Sequence, residues 1–132
     1  MLSVTSCVAA VLTVIYIRLA LAIIRLRKAN LVSLGSGGRD DLEKAIRAHG
    51  NFAEYVPFGL ILLACLELNG AAWYLVAILG LGLVVGRVCH AHGINRPTPD
   101  FRMRVLGMQF TFFTLILLAA LNVIWVAAKP FL

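Results

Sequence analysis

Arg47-Ala48-His49-Gly50-Asn51-Phe52-Ala53-Glu54-Tyr55-Val56-Pro57 opens polar and runs straight into the apolar residues 58–68. On a helix, Arg47, Asn51, Glu54 and Tyr55 fall at i, i+4, i+7 and i+8, which is one face. One stripe therefore carries a cation, an amide, a carboxylate and a phenol into a segment that otherwise reads as lipid-embedded. Glu54 is the costly member: a comparable charge at the centre of a membrane helix costs roughly 2.5–3.5 kcal/mol on insertion scales. Such a group is expected to face a bundle interior with a partner. Arg47, two turns away with Asn51 between, is the expected partner. The stripe thus predicts a helical membrane bundle with a polar site.

Composition agrees. The chain has 132 residues, 61% of them hydrophobic and 14% charged, with a mean hydropathy of +0.93. Soluble domains are about 45–50% apolar and about 25% charged. A single integral membrane domain spanning residues 1–132 follows. The net charge is +6, but no polar surface is large enough to present a basic face to nucleic acid, so no nucleic-acid partner is expected. Cys7, Cys65 and Cys89 lie in apolar runs without paired spacing, which implies neither a disulfide framework nor a metal site.

Four spanning helices are predicted, over about 2–27, 41–69, 71–93 and 101–128. The first apolar run is too long for a signal peptide and no basic region precedes it, so it is expected to be a retained span. Arg18 lies inside it; it either snorkels to the nearer interface or faces the bundle toward a carboxylate or an anionic ligand. The loop with Gly35-Ser36-Gly37-Gly38 lacks the preceding strand and the Lys-Ser ending of a phosphate loop and reads as a linker. Asp40 or Asp41 is expected to cap the second helix. Pro57 is expected to kink that helix. Asn69-Gly70 ends it and forces an antiparallel third helix. Gly82 and Gly86 on the third helix have small-xxx-small spacing for close packing.

Loop charges set the expected topology. Arg25, Arg27, Lys28, Arg39, Lys44, Arg47, Arg96, Arg102 and Arg104 cluster around the first and third connections. The second connection and the first fifteen residues carry no lysine or arginine. The positive-inside rule puts the first and third connections in the cytoplasm and both termini outside. Trp73, Tyr74 and Trp125 then belong to the outer aromatic belt. The cytoplasmic ends of the helices would gather Arg18, Arg25, Arg27, Arg47, Asn51, Glu54, Tyr55, Arg87, His90, Arg102 and Arg104. This is a basic cup with an apolar wall and one buried carboxylate. It suits a ligand that is anionic at one end and apolar at the other, and the planar guanidinium fork suits carboxylates.

Arg47-x-x-x-Asn51-x-x-Glu54-Tyr55-x-Pro57, with Arg87-x-x-His90 and a basic start to the fourth helix, resembles the MAPEG family. These are membrane-associated proteins of eicosanoid and glutathione metabolism. The resemblance covers essentially the whole chain and is nearest to the small bacterial members. It implies an all-α homotrimer of four-helix protomers in the inner membrane, with glutathione as co-substrate between subunits near the cytoplasmic face. By that resemblance Arg47, Asn51, Glu54 and Tyr55 bind glutathione. Arg87 and His90 match basic or polar contacts on the third helix, and Arg27 matches a contact on the first. Arg104 matches the arginine that activates the thiol, with Arg102 as the competing assignment. Ile94 stands where eicosanoid-forming members carry tyrosine, which removes one glutathione contact.

The implied chemistry is that of a transferase or peroxidase acting on lipophilic electrophiles. A free thiol has a pKa of about 8.5, and a neighbouring cation raises the thiolate population at neutral pH. No metal and no protein cysteine is required. Plainer readings stand beside these. Glu54 with Arg47 can be a buried structural pair, Tyr55 a packing residue and His90 an interfacial side chain without a ligand. Glu67, at the outer end, is expected to be solvated, and His49 and His92 to lie in solvent or among headgroups. The alternative function is a small non-catalytic transporter or anion-binding protein using the same cup.

Overall fold

The computed structural model describes residues 1–96, 98 and 100–128. Pro97 and Pro99 of the third connection, and residues 129–132, lie outside the described residues. Four helices follow in order: α1 (Ser3–Asn30), α2 (Asp40–Leu68), α3 (Trp73–Asn95) and α4 (Phe101–Ala128). Each is long and apolar enough to cross a membrane. Helices are the expected solution, because lipid offers backbone amides no partner and a helix satisfies them internally. The chain is all-α and has the form of a four-helix bundle.

The helix ends show how local chemistry sets the boundaries. α1 runs one turn beyond expectation to Asn30, whose Nδ2 donates to Leu26 O at 2.7 Å. Leu31 takes a left-handed φ of 55° and the Val32 amide returns to Arg27 O at 3.0 Å, closing the helix end. Arg27 and Lys28 in this last turn complement the helix dipole. α2 departs from the capping expectation. Its N-cap is Arg39, without a side-chain cap. Asp41 Oδ1 instead accepts from the Leu42 amide at 2.8 Å and from Arg39 Nε at 3.2 Å. α4 gains a cap from Asp100, whose Oδ1 accepts from the Met103 amide at 3.1 Å. Between α2 and α3, Gly70 takes φ 90°, which permits the tight antiparallel return.

α2 and α3 form the central pair. Each packs against both other helices, whereas α1 and α4 stand on opposite flanks and do not meet among the described residues. Toward the end holding the α2–α3 turn, the core is Leu63, Leu66, Val76, Leu79 and Leu118. Further along it is Leu12, Phe52, Val56 and Leu83. α3 and α4 approach most closely where glycines face each other. A Cβ built on Gly107 would lie 2.7 Å from Gly86 O and 2.5 Å from His90 N. One on Gly86 would lie 2.7 Å from Thr111 Oγ1, and one on Gly82 2.9 Å from Thr114 Oγ1. The small-residue spacing therefore marks the α3–α4 seam.

At the α2–α3 turn, Glu67 is not a solvated end group. Its two carboxylate oxygens accept the Val4 and Thr5 amides at 2.9 and 2.8 Å. The carboxylate thereby caps the N-terminus of α1 from a different helix, where both free amides and the helix dipole favour an anion. Trp125 Nε1 donates to Asn69 O at 3.0 Å and ties α4 to the same turn. Trp73, Tyr74 and Trp125 thus share one end of the bundle, and the basic stripe occupies the other.

Candidate functional site

At that basic end, α2, α3 and α4 enclose an open cavity of about 640 Å³. Glu43, Arg47, Gly50, Asn51 and Glu54 line it from α2, His90 and Ile94 from α3, and Arg104 from α4. The spacing of the opening stretch puts the α2 members on one stripe. The close α3–α4 seam sets His90 and Arg104 opposite it. Five of the residues expected at the site, Arg47, Asn51, Glu54, His90 and Arg104, are therefore together on one wall system.

Their electrostatic arrangement differs from expectation. Glu54 is exposed and has no hydrogen-bond or ion-pair partner among the described residues. It does not pair with Arg47. Arg47 is 78% exposed at its side chain and holds Glu43 one turn back, at 3.2 Å. The buried carboxylate of the sequence reading is corrected: the α2 stripe faces the cavity rather than the bundle interior. Helical spacing shows which residues share a face, not where that face points.

The buried charge is Arg87, only 1% exposed. Its Nη1 donates to Asn51 Oδ1 at 2.6 Å, its Nε to Thr111 Oγ1 at 3.0 Å, and its Nη2 lies 3.2 Å from Met108 Sδ. The Tyr55 ring sits with its centroid 5.3 Å from the guanidinium carbon and packs on Phe112 at 5.5 Å. Arg87 and Tyr55 do not line the cavity. They stand behind its wall, and Arg87 fixes the Asn51 amide so that its NH₂ group is free to donate outward.

His90 is also fixed. Its Nδ1 lies 3.1 Å from Arg104 O, and because a carbonyl only accepts, Nδ1 carries the hydrogen. In the neutral ring Nε2 is then an acceptor. Arg104 Nε is buried with no hydrogen-bond partner among the described residues. Arg104 thus brings a cationic side chain with a spare donor to the cavity wall. Arg102 is exposed and lines a separate cleft with Phe101, Leu106 and Gln109, so the cavity takes Arg104 and not Arg102.

Arg27 is not brought to this cavity; it lines a shallow cleft with Lys28 and Leu31, and its Nη1 is buried without a partner among the described residues. Arg18 is exposed and makes no bond among the described residues, so it does not face the bundle. His49 is not free in solvent: it is half-buried and stacks on Tyr16 at 4.6 Å. A second, apolar cavity of about 290 Å³ lies between α1 and α2, lined by Leu12, Tyr16, Phe52, Val56 and Pro57 among others. Glu43 and Gly50 at the site were missed by sequence reasoning. The i,i+4 pair of Glu43 with Arg47 was the available signal. Thr111 and Met108 carry no comparable signal, because they become Arg87 partners only through the α3–α4 contact.

The MAPEG family model matches residues 5–124. The chain belongs to the MAPEG family. It is 39% identical over 100 residues to the inner membrane protein YecN of Escherichia coli (strain K12), covering 76% of this chain and 75% of that protein. The YecN of E. coli O6:H1 matches to the same extent. With four helices suited to span a bilayer, this MAPEG protein is a multi-pass membrane protein of inner-membrane type.

Proposed function

We propose that this MAPEG protein binds glutathione in the α2–α3–α4 cavity and uses it as a thiol nucleophile. The observation that carries the reading is the convergence of Arg47, Asn51, Glu54, His90 and Arg104 on one cavity wall. The ligand's chemistry matches: two carboxylates for arginines, an ammonium group for Glu54, amides for Asn51, and a thiol for Arg104. Arg104, with its unpartnered Nε, holds the sulfur as thiolate. The sulfur then attacks an electrophilic carbon, forming a C–S bond and expelling the leaving group or passing the electrons into the acceptor. With a lipid hydroperoxide the same thiolate takes oxygen, and a second glutathione completes reduction to the alcohol, water and glutathione disulfide. The lipophilic partner enters from the bilayer.

The reading includes a homotrimer with both termini outside and the cavity on the cytoplasmic side. Glu54 and Arg27 support assembly, because both leave polar groups without partners among the described residues at a membrane-embedded or interfacial face. A neighbouring subunit's Arg27 would then complete the cavity. Loop charges and the aromatic end support the orientation. The test is ultraviolet difference absorbance of the purified protein with glutathione, followed by conjugation of lipophilic electrophiles. A thiolate band at neutral pH that Arg104→Ala abolishes and Arg102→Ala keeps is the expected result. The same band in Arg104→Ala would remove the assigned thiol activation.

A further inference from the structure

A second basic cavity of about 640 Å³ lies at the same end of the bundle, between α1, α2 and the end of α3. Its rim holds Arg25, Lys44, Asp41 and Arg96, and its floor includes Ala22 and Leu26. It shares no lining residue with the cavity around Asn51. A charged rim over an apolar floor, at the headgroup level of a membrane bundle, is the arrangement of an interhelical lipid seat.

The charge balance narrows the ligand. Lys44 Nζ is 2.6 Å from Asp40, and Arg96 Nη1 is 3.6 Å from Asp100. Asp41 is held by Arg39 at 3.1 Å. Among the charged residues of the rim, Arg25 alone has no counter-charge among the described residues. One uncompensated guanidinium matches one negative charge. We propose that this cavity seats the phosphodiester of a monoanionic phospholipid, with Arg25 as the primary contact, Lys44 and Arg96 flanking it, and the acyl chains leaving over Ala22 and Leu26. A dianionic phosphate would overcharge the seat, and a zwitterionic lipid would bring an ammonium group to a rim whose one carboxylate is already paired.

The proposal is independent of the glutathione site and is tested beside it. Full-length protein in neutral detergent is titrated with short-chain phosphatidylglycerol, phosphatidylcholine or inorganic phosphate, and the thermal unfolding midpoint is followed. Phosphatidylglycerol is expected to raise the midpoint, with phosphatidylcholine and inorganic phosphate far weaker. Arg25→Gln is expected to need about fivefold more phosphatidylglycerol, the loss of one interfacial cation contact. Lys28→Gln, on the exposed end of α1 and outside this cavity, is expected to titrate like the wild type. Arg25 is itself exposed, so its replacement leaves packing intact, and an unchanged midpoint without lipid checks this. Equal effects of the two lipids, equal effects of phosphate, or an unchanged titration in Arg25→Gln would each overturn the assignment. A glutathione response in Arg25→Gln matching the wild type separates this result from the fate of the glutathione reading.

Discussion

At the scale of single residues, the site is built from side chains held by others. Arg87 spends its guanidinium on Asn51, Thr111 and Met108. Replacing it with leucine leaves Asn51 Oδ1 and Thr111 without their buried donor, a loss of about 1–3 kcal/mol. The expected outcome is a lower unfolding midpoint in detergent together with weaker glutathione binding, since Asn51 is no longer oriented. Arg104→Ala acts differently: on the proposed glutathione reading it removes the cation beside the sulfur, so the bound thiol pKa is expected to rise by about one unit or more. The thiolate fraction at pH 7 falls and reappears only at higher pH, which a pH titration of thiolate absorbance reads directly. The sequence showed which residue types share the α2 stripe, because a 3.6-residue period is local. It did not show that Glu54 is exposed or that Arg87 is the buried charge. Both depend on which way α2 and α3 are turned, and only packing between helices decides that.

At the scale of elements, two long-range devices hold the bundle. Glu67 caps α1 across a sequence gap of more than sixty residues. No local pattern announces it, which is why Glu67 looks like an ordinary end group in the sequence. Glu67→Ala frees two amide donors of α1 and is expected to cost about 1 kcal/mol, the usual worth of a cap. Thermal unfolding with and without that substitution checks it. The α3–α4 seam is the other device. Gly107→Leu forces its side chain against His90 and Gly86 backbone and should destabilise by about 1–3 kcal/mol or more, by overpacking. It should also displace His90 from Arg104 O, so glutathione binding falls alongside stability. The seam was legible as a Gly-xxx-Gly spacing on α3, but its partner Gly107 was not, because one helix's small residues do not name the facing helix.

At the scale of the molecule, two cations-and-cavity arrangements share one end of a membrane bundle, and the aromatic side chains and the Glu67 cap share the other. The four-span, all-α membrane reading was legible in the sequence, since length and hydropathy constrain a membrane protein tightly. If the proposed assembly holds, with Arg27 and Glu54 meeting a neighbouring subunit, mass measurement of the detergent-solubilised protein gives three chains per particle. The central claim is that the cavity around Asn51 and Arg104 is a glutathione site. It is tested most directly by the thermal unfolding shift that millimolar glutathione produces in wild type and in Arg47→Ala. Arg47 is exposed, so its loss leaves the fold standing. The account predicts a clear rise in the wild-type midpoint that is absent or strongly reduced in Arg47→Ala. No shift in a folded wild type, or equal shifts in both proteins, would contradict it.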